Sequence, residues 1–161
     1  MEYMIRHMLK EDIQQVQNVA RKSWYSTYKN IIPLAIQKSF LQSAYSNESL
    51  ERRLAASYFF VAESDEEVIG FANFSPLKED GEIELGSIYL DPAYQGVGVG
   101  SALLKKGVST IEGIQKVYIN VEKDNLIGKT FYIAKGFKQV TEFDDPFDGH
   151  NLKTIRMVLM L

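Results

Sequence analysis

Gly96, Gly98 and Gly100 fall within five residues, directly after the apolar run Ile88-Tyr89-Leu90 and directly before Ser101-Ala102-Leu103-Leu104. Asp91-Pro92 stops the apolar run, so the order reads as strand, turn, glycine-rich loop and helix start. The first N–H groups of a helix have no partner inside it, and glycines leave that stretch of backbone uncovered. Such an end binds an anion, most naturally a phosphate or pyrophosphate. The spacing sorts the candidates. The P-loop of nucleotide hydrolases needs Gly-Lys-Ser/Thr, but Gly100 is followed by Ser101 and Ala102, and the first lysine is Lys105. A dinucleotide fingerprint reads G-x-G-x-x-G, and the last interval here is wrong for it. What remains is Gln95-x-x-Gly98-x-Gly100, or else a glycine-rich turn that holds nothing.

That motif resembles the pyrophosphate loop of the GNAT superfamily of acyl-CoA-dependent N-acyltransferases, which carries Gln or Arg, then Gly, then Gly or Ala at this spacing. A second segment runs from Asn125 through Phe131-Tyr132 to Gly136-Phe137. It is similar to the family's Asn, two residues, Ala, Phe-Tyr and Gly-Phe. Gly128 departs by standing at the usual Ala position, at a helix cost of about 1 kcal/mol. The resemblance implies an acetyl-CoA-dependent N-acetyltransferase on a mixed α/β (α+β) GNAT fold. That fold has a mostly antiparallel central sheet of six or seven strands, splayed at the fourth and fifth, with helices on both faces. By the same resemblance, the backbone of Gln95, Gly96, Val97, Gly98, Val99, Gly100 and Ser101 holds the pyrophosphate of the cosubstrate. The strand Ile88-Tyr89-Leu90 pairs with its pantetheine arm, and Asn125 contacts that arm, caps a helix, or does both.

Acyl transfer sets the requirements for the remaining groups. An alkylamine has a pKa of about 10, so it must lose a proton before it attacks a thioester carbonyl. A carboxylate can accept that proton, directly or through water. The departing thiolate is helped by a proton donor, and a phenol near the sulfur supplies one. Tyr132 falls on the family tyrosine and is the expected acid, against the alternative of a core aromatic beside Phe131. Glu84, on the strand leading to the loop, falls where many GNAT members carry an acid and is the expected base. Its alternative is a surface ion pair. Glu82 lies two residues earlier on the same strand face.

The elements that must position these groups follow from periodicity. Met4–Met8 is a short strand, and Lys10-Glu11-Asp12 opens a helix whose face is Ile13, Val16, Val19, Ala20 and Trp24. Pro33 starts a second helix with Ile36, Phe40, Leu41 and Ala44, and Asn47 caps a short third one. Tyr58–Glu63 and Val68–Phe74 form a hairpin about Asp65-Glu66-Glu67. In Glu82–Leu90, Ile83 and Leu85 sit on one alternation phase, and Ile88 and Leu90 on the other. A slip at Gly86-Ser87 is what a β-bulge produces. A helix from Gly100 to about Glu112, buried through Leu104, Val108 and Ile111, then leads to the strand Lys116–Val121 and a parallel pairing. A helix from Leu126 to Lys135 and two closing strands complete the chain. Asp144–His150 joins those strands, either as a solvated hairpin loop or as three acids that attract a polyamine or peptide amine.

With 161 residues, 45% hydrophobic and 12% aromatic, the chain suits one domain spanning 1–161. A net charge of −3 and a pI near 5.5 argue against nucleic acid as the main partner. The absence of cysteine excludes a cysteine nucleophile and favours direct transfer over an acyl-enzyme. Two distant histidines, His7 and His150, make no zinc spacing, so no metal is expected. With neither a signal-peptide run nor an apolar stretch of membrane length, the expectation is a cytoplasmic protein without a membrane partner.

On the acceptor side, Trp24, Tyr25 and Tyr28 cluster at the end of the first helix, either as core and lid packing or as a wall that holds an amine by cation–π contact. The expected partners are acetyl-CoA and a small amine, a polyamine or a peptide amine, with a homodimer left open. A non-catalytic acyl-CoA sensor on the same fold is the competing reading. In thermal-shift measurements, coenzyme A should raise the melting temperature and ATP should fail to compete with it. The reverse order would return the glycine loop to the nucleotide-hydrolase class.

Overall fold

The computed structural model describes residues 1–161. Its strands are β1 (Met4–His7), β2 (Tyr58–Ser64), β3 (Glu67–Phe74), β4 (Glu82–Leu90), β5 (Lys116–Glu122), β6 (Lys138–Phe147) and β7 (His150–Met160). Its helices are α1 (Ile13–Tyr28), α2 (Leu34–Ala44), α3 (Asn47–Ala56), α4 (Val99–Thr110) and α5 (Leu126–Ala134). One seven-stranded sheet has the order β1-β2-β3-β4-β5-β7-β6. Every neighbouring pair is antiparallel except β4 and β5, which the α4 crossover makes parallel.

Alternation in the strands builds a core on each face. Phe59, Val61 and Phe71 pack under α1 with Val16, Ala20 and Leu50, whereas Phe60, Phe74, Ile83 and Ile119 pack under α4 with Leu103 and Leu104. Leu103 and Gly107 belong to the buried face of α4, which the apolar spacing alone did not single out. Gly107 is needed there because a Cβ would stand 2.2 Å from the ring of the fully buried Phe74.

The slip in β4 is a bulge. Asn73 lies opposite Ser87 and Phe74 opposite Leu85, which leaves Gly86 as the extra residue. A bulge bends its strand and increases the local twist. The parallel pairing of β4 with β5 accordingly covers only Glu82–Glu84 against Lys116–Tyr118. Beyond it the two strands part.

Beyond shifts of one or two residues at several element ends, four features differ from the sequence reading. Lys10–Asp12 is a single 3-10 turn, and α1 starts at Ile13. The Asp12 carboxylate serves the turn, accepting from Leu9 N–H and from Arg6, each at 2.7 Å. Pro33 precedes α2 as its cap residue instead of standing in its first turn. Ser46, not Asn47, caps α3, its Oγ accepting the Ser49 N–H at 3.1 Å. The stretch Asp144–His150 is no open loop: β6 runs to Phe147 and β7 begins at His150, so only Asp148-Gly149 turns, with φ of 49° and 81°.

Gly107→Ala should destabilise the protein by about 1–2 kcal/mol, since overpacking against Phe74 exceeds the gain in helix propensity. Urea unfolding checks this; an unchanged or raised midpoint would show that the Phe74 ring yields.

Candidate active site

The parting of β4 and β5 opens a cleft of about 190 Å³. Ser87, Ile88, Tyr89 and Leu90 of β4 form one wall, and Asn120, Val121 and Glu122 of β5 the other. Gln95, Gly96 and Gly100 close one end, α5 contributes Ile127, Gly128, Phe131 and Tyr132, and α1 contributes Ser23, Thr27 and Tyr28. The cleft therefore runs through the sheet, from the glycine loop on the α4 side to the α1 side.

The loop has the geometry for an anion. Gly96 and Gly98 have φ of 81° and 90°, a region that only glycine enters without strain, and a Cβ on Gly96 would meet open space. The first backbone bond of α4 runs from Ala102 N–H to Gly98 O at 3.0 Å. That leaves the N–H groups of Val99, Gly100 and Ser101 without partners inside the helix. The Val99 side chain is buried in the core and that of Val97 is exposed, so both can meet a ligand only through backbone. Gly100 lets α4 approach α5, since a Cβ there would lie 3.1 Å from Phe131. The next β4 residues, Ile88 to Leu90, pair with β3 on one edge only. Free N–H groups at a helix start, beside a strand edge without a neighbour, fit a diphosphate joined to an amide-bearing arm.

Asn125 caps α5, its Oδ1 accepting from Gly128 N–H at 3.0 Å. A Cβ on Gly128 would stand 2.6 Å from Asn125 Nδ2, so an alanine there would require the cap side chain to shift. Tyr132 is held edge-on between Phe131 and Phe137, with centroids 5.4 and 5.3 Å away. Burial pushes its hydroxyl well above the usual phenol range, and the charge of Glu122 adds to this, so it stays protonated.

Glu122, which sequence reasoning passed over, is the carboxylate of the cleft. Burial raises its pKa above the ordinary 4.5. The Tyr28 hydroxyl donates to Oε2 at 2.8 Å and opposes the rise, while the charge of Asp145 reinforces it. The signal for it lay in alternation: Tyr118, Asn120 and Glu122 share one face of β5, and Glu122 is the residue that reaches past the paired segment.

Glu84 lies outside the cleft lining. Arg156 grips both of its oxygens, with Nη1 to Oε2 at 3.3 Å. Arg156 also donates to Asn120 Oδ1 at 3.0 Å and stacks 4.5 Å above the Tyr118 ring. Of the aromatic trio, only Tyr28 lines the cleft. Trp24 is stacked on Phe40 at 4.4 Å inside a buried cluster, and Tyr25, 56% exposed, borders a separate groove between α1 and α2.

Residues 13–137 match the profile of the acetyltransferase (GNAT) family. The chain belongs to that family. Among curated members it is 30% identical over 142 residues to the spermidine N(1)-acetyltransferase of Thermoplasma acidophilum, covering 83% of this chain and 87% of that one. It is 31% identical over 157 residues to the uncharacterized N-acetyltransferase YuaI of Bacillus subtilis, covering 94% and 89%. The PaiA N-acetyltransferase of T. acidophilum, solved in complex with coenzyme A, superposes over the whole of both chains with a TM-score of 0.86 at 27% identity. This GNAT protein is thus an acetyltransferase, and no helix in it is long and apolar enough to cross a membrane.

Because the native pKa of Glu122 lies above its unfolded value, the stability it contributes is present at low pH and is lost as pH rises through the native pKa. Glu122→Gln should therefore gain stability relative to wild type between pH 4 and pH 7. Urea unfolding at the two pH values checks this; an unchanged difference would show that the carboxylate ionises freely in the fold.

Proposed function

We propose that this GNAT acetyltransferase transfers an acetyl group from acetyl-CoA to a primary amine by direct attack, with Glu122 as general base and Tyr132 as general acid. The observation that carries the reading is that these two groups share the cleft where the sheet opens, next to the free helix end of α4. The similarity to the spermidine acetyltransferase of T. acidophilum favours an aliphatic amine of the polyamine type as acceptor.

In this reading, the backbone N–H groups from Gln95 to Ser101 hold the diphosphate, and the free edge of Ile88–Leu90 pairs with the pantetheine amides. Bound acetyl-CoA supplies an activated acyl group. Glu122 takes the proton of the incoming ammonium, through water where the amine does not touch it. The amine nitrogen bonds to the carbonyl carbon as the carbon–sulfur bond breaks. The Tyr132 hydroxyl gives its proton to the departing sulfur. The nitrogen sheds its second proton as the N-protonated product becomes a neutral amide, and through water that proton returns the Tyr132 phenolate to phenol. The proton on Glu122 leaves to solvent, so charge and atoms balance. A carboxyl raised by burial suits the base, because it binds the proton more firmly than an ordinary glutamate. Glu84 is the weaker candidate because its oxygens are engaged by Arg156. Tyr28 orients the Glu122 carboxylate, and no cysteine is present to carry an acyl group.

Tyr132→Phe should lower kcat by about 100-fold while shifting the affinity for acetyl-CoA far less. Thiol release and calorimetry separate the two effects, and unchanged turnover would remove Tyr132 from the acid role. Glu122→Gln should abolish the acidic limb of the kcat/KM profile, whose midpoint in the wild type should lie above 4.5. If Glu84→Gln abolished that limb and Glu122→Gln preserved it, the base would be Glu84.

A further inference from the structure

The three acids of β6 differ in their company. Glu142 pairs with Lys123 at 3.3 Å, and Asp144 pairs with Lys153. Asp145 is absent from every ion pair of the chain. Register fixes where it stands: Phe143 is opposite Thr154, Asp145 opposite Leu152 and Phe147 opposite His150. Residues opposite one another share a face, so Asp145 lies between two phenylalanines on the face of Leu152 and Thr154. Glu122 is opposite Thr154 on the other side of β7 and belongs to that same face. This is the α1 side of the sheet, where Leu152 packs with Trp24 and Tyr28, and the Phe147 ring lies 6.1 Å from that of Trp24.

Two buried polar groups on this wall have no partner. Thr154 Oγ1, in a residue 3% exposed, sits beside Glu122 in the sheet, and Trp24 Nε1, in a residue 4% exposed, sits behind Phe147. Asp145 is half-buried, and Phe143 keeps 37% of its surface exposed. Asp145 lies two strand spacings across from Glu122 and two residues along, about 12 Å away. Between them Thr154 Oγ1 is buried without a partner and Leu152 is buried against Trp24 and Tyr28, while Phe143 and Phe147 keep part of their surface exposed. A carboxylate between two aromatic rings provides both ion pairing and cation–π attraction for an alkylammonium.

We propose that Asp145, set between Phe143 and Phe147, receives a second, remote ammonium of the acceptor, so that the enzyme selects diamines and polyamines over monoamines of equal length. The proposal rests on the acetyl-transfer reading above. The amine to be acetylated lies at Glu122, the methylene chain runs past Thr154 and the partly exposed rings of Phe143 and Phe147, and the distal ammonium completes the unpaired carboxylate.

The test is steady-state kinetics with putrescine and n-butylamine as acceptors, on the wild type, Asp145→Asn, Asp145→Glu and Asp144→Asn. The wild type should favour putrescine in kcat/KM by about tenfold or more, the scale of one charge-assisted contact. Asp145→Asn should raise the KM for putrescine by about tenfold with kcat nearly unchanged, and should leave n-butylamine unaffected. Asp145→Glu should retain the preference, and Asp144→Asn should behave as wild type. Equal efficiency of the two amines in the wild type, or an Asp145→Asn effect equal on both, would overturn the subsite while leaving acetyl transfer intact. Failure of every amine to release thiol would overturn the acetyl-transfer reading and the subsite together. The melting temperature of Asp145→Asn, expected to match wild type, separates loss of selectivity from loss of fold.

Discussion

An extra residue in one strand governs this structure. Gly86 has no counterpart on β3, and the bulge it makes bends β4 away from β5 after three paired residues. Backbone amides in a sheet normally satisfy one another, and an edge left open inside a protein needs another partner. Here the opening coincides with the start of α4, whose first N–H groups are likewise unpaired. Two sets of free donors and acceptors thus converge on one cleft, and the surrounding sheet is rigid enough to hold them apart. Gly100 and Gly107 serve the same arrangement from the other side, by letting α4 press against Phe131 and Phe74.

The same opening sorts the carboxylates. Glu84 and Glu122 lie on one face of the sheet, yet their surroundings differ in kind. Glu84 is within the paired segment and reaches Arg156, which engages both of its oxygens. Glu122 is beyond the paired segment, meets burial before it meets any cation, and has a phenol as its only hydrogen-bonding side-chain partner. Desolvation without a counter-charge raises a carboxyl above its ordinary value, and that difference in environment is the ground on which Glu122 rather than Glu84 is proposed as the base. The pKa of Tyr132 is pushed upward as well, by burial first and then by the charge of Glu122 itself, which keeps the phenol protonated.

Much of this was written in local sequence. The glycine spacing, the proline stop and the Asn125 and Phe131-Tyr132 positions depend only on residues near one another in the chain, and so did the alternation slip that marks Gly86. Capping was less legible. Ser46 and Asn47 are both good cap residues side by side, and the α2–α3 junction chose the first. The acids of Asp144–Phe147 read as a solvated loop because Pro146 and the acidic run carry turn propensity, but pairing with Asn151–Lys153 draws them into an edge strand, where proline is tolerated.

The sequence by itself determined the order of the elements, the glycine-rich loop at the start of α4 and the place of the phenol on α5, because each rests on periodicity or on residues near one another in the chain. The fold class followed from the family resemblance those residues carry. The tertiary structure decided which carboxylate enters the cleft, which aromatic residues line it and which are core. Those outcomes depend on Arg156 reaching Glu84 from β7, on Tyr28 reaching Glu122 from α1 across 94 residues of chain, and on Phe40 covering Trp24. Ionisation and exposure are properties of a three-dimensional neighbourhood, and no local pattern specifies them.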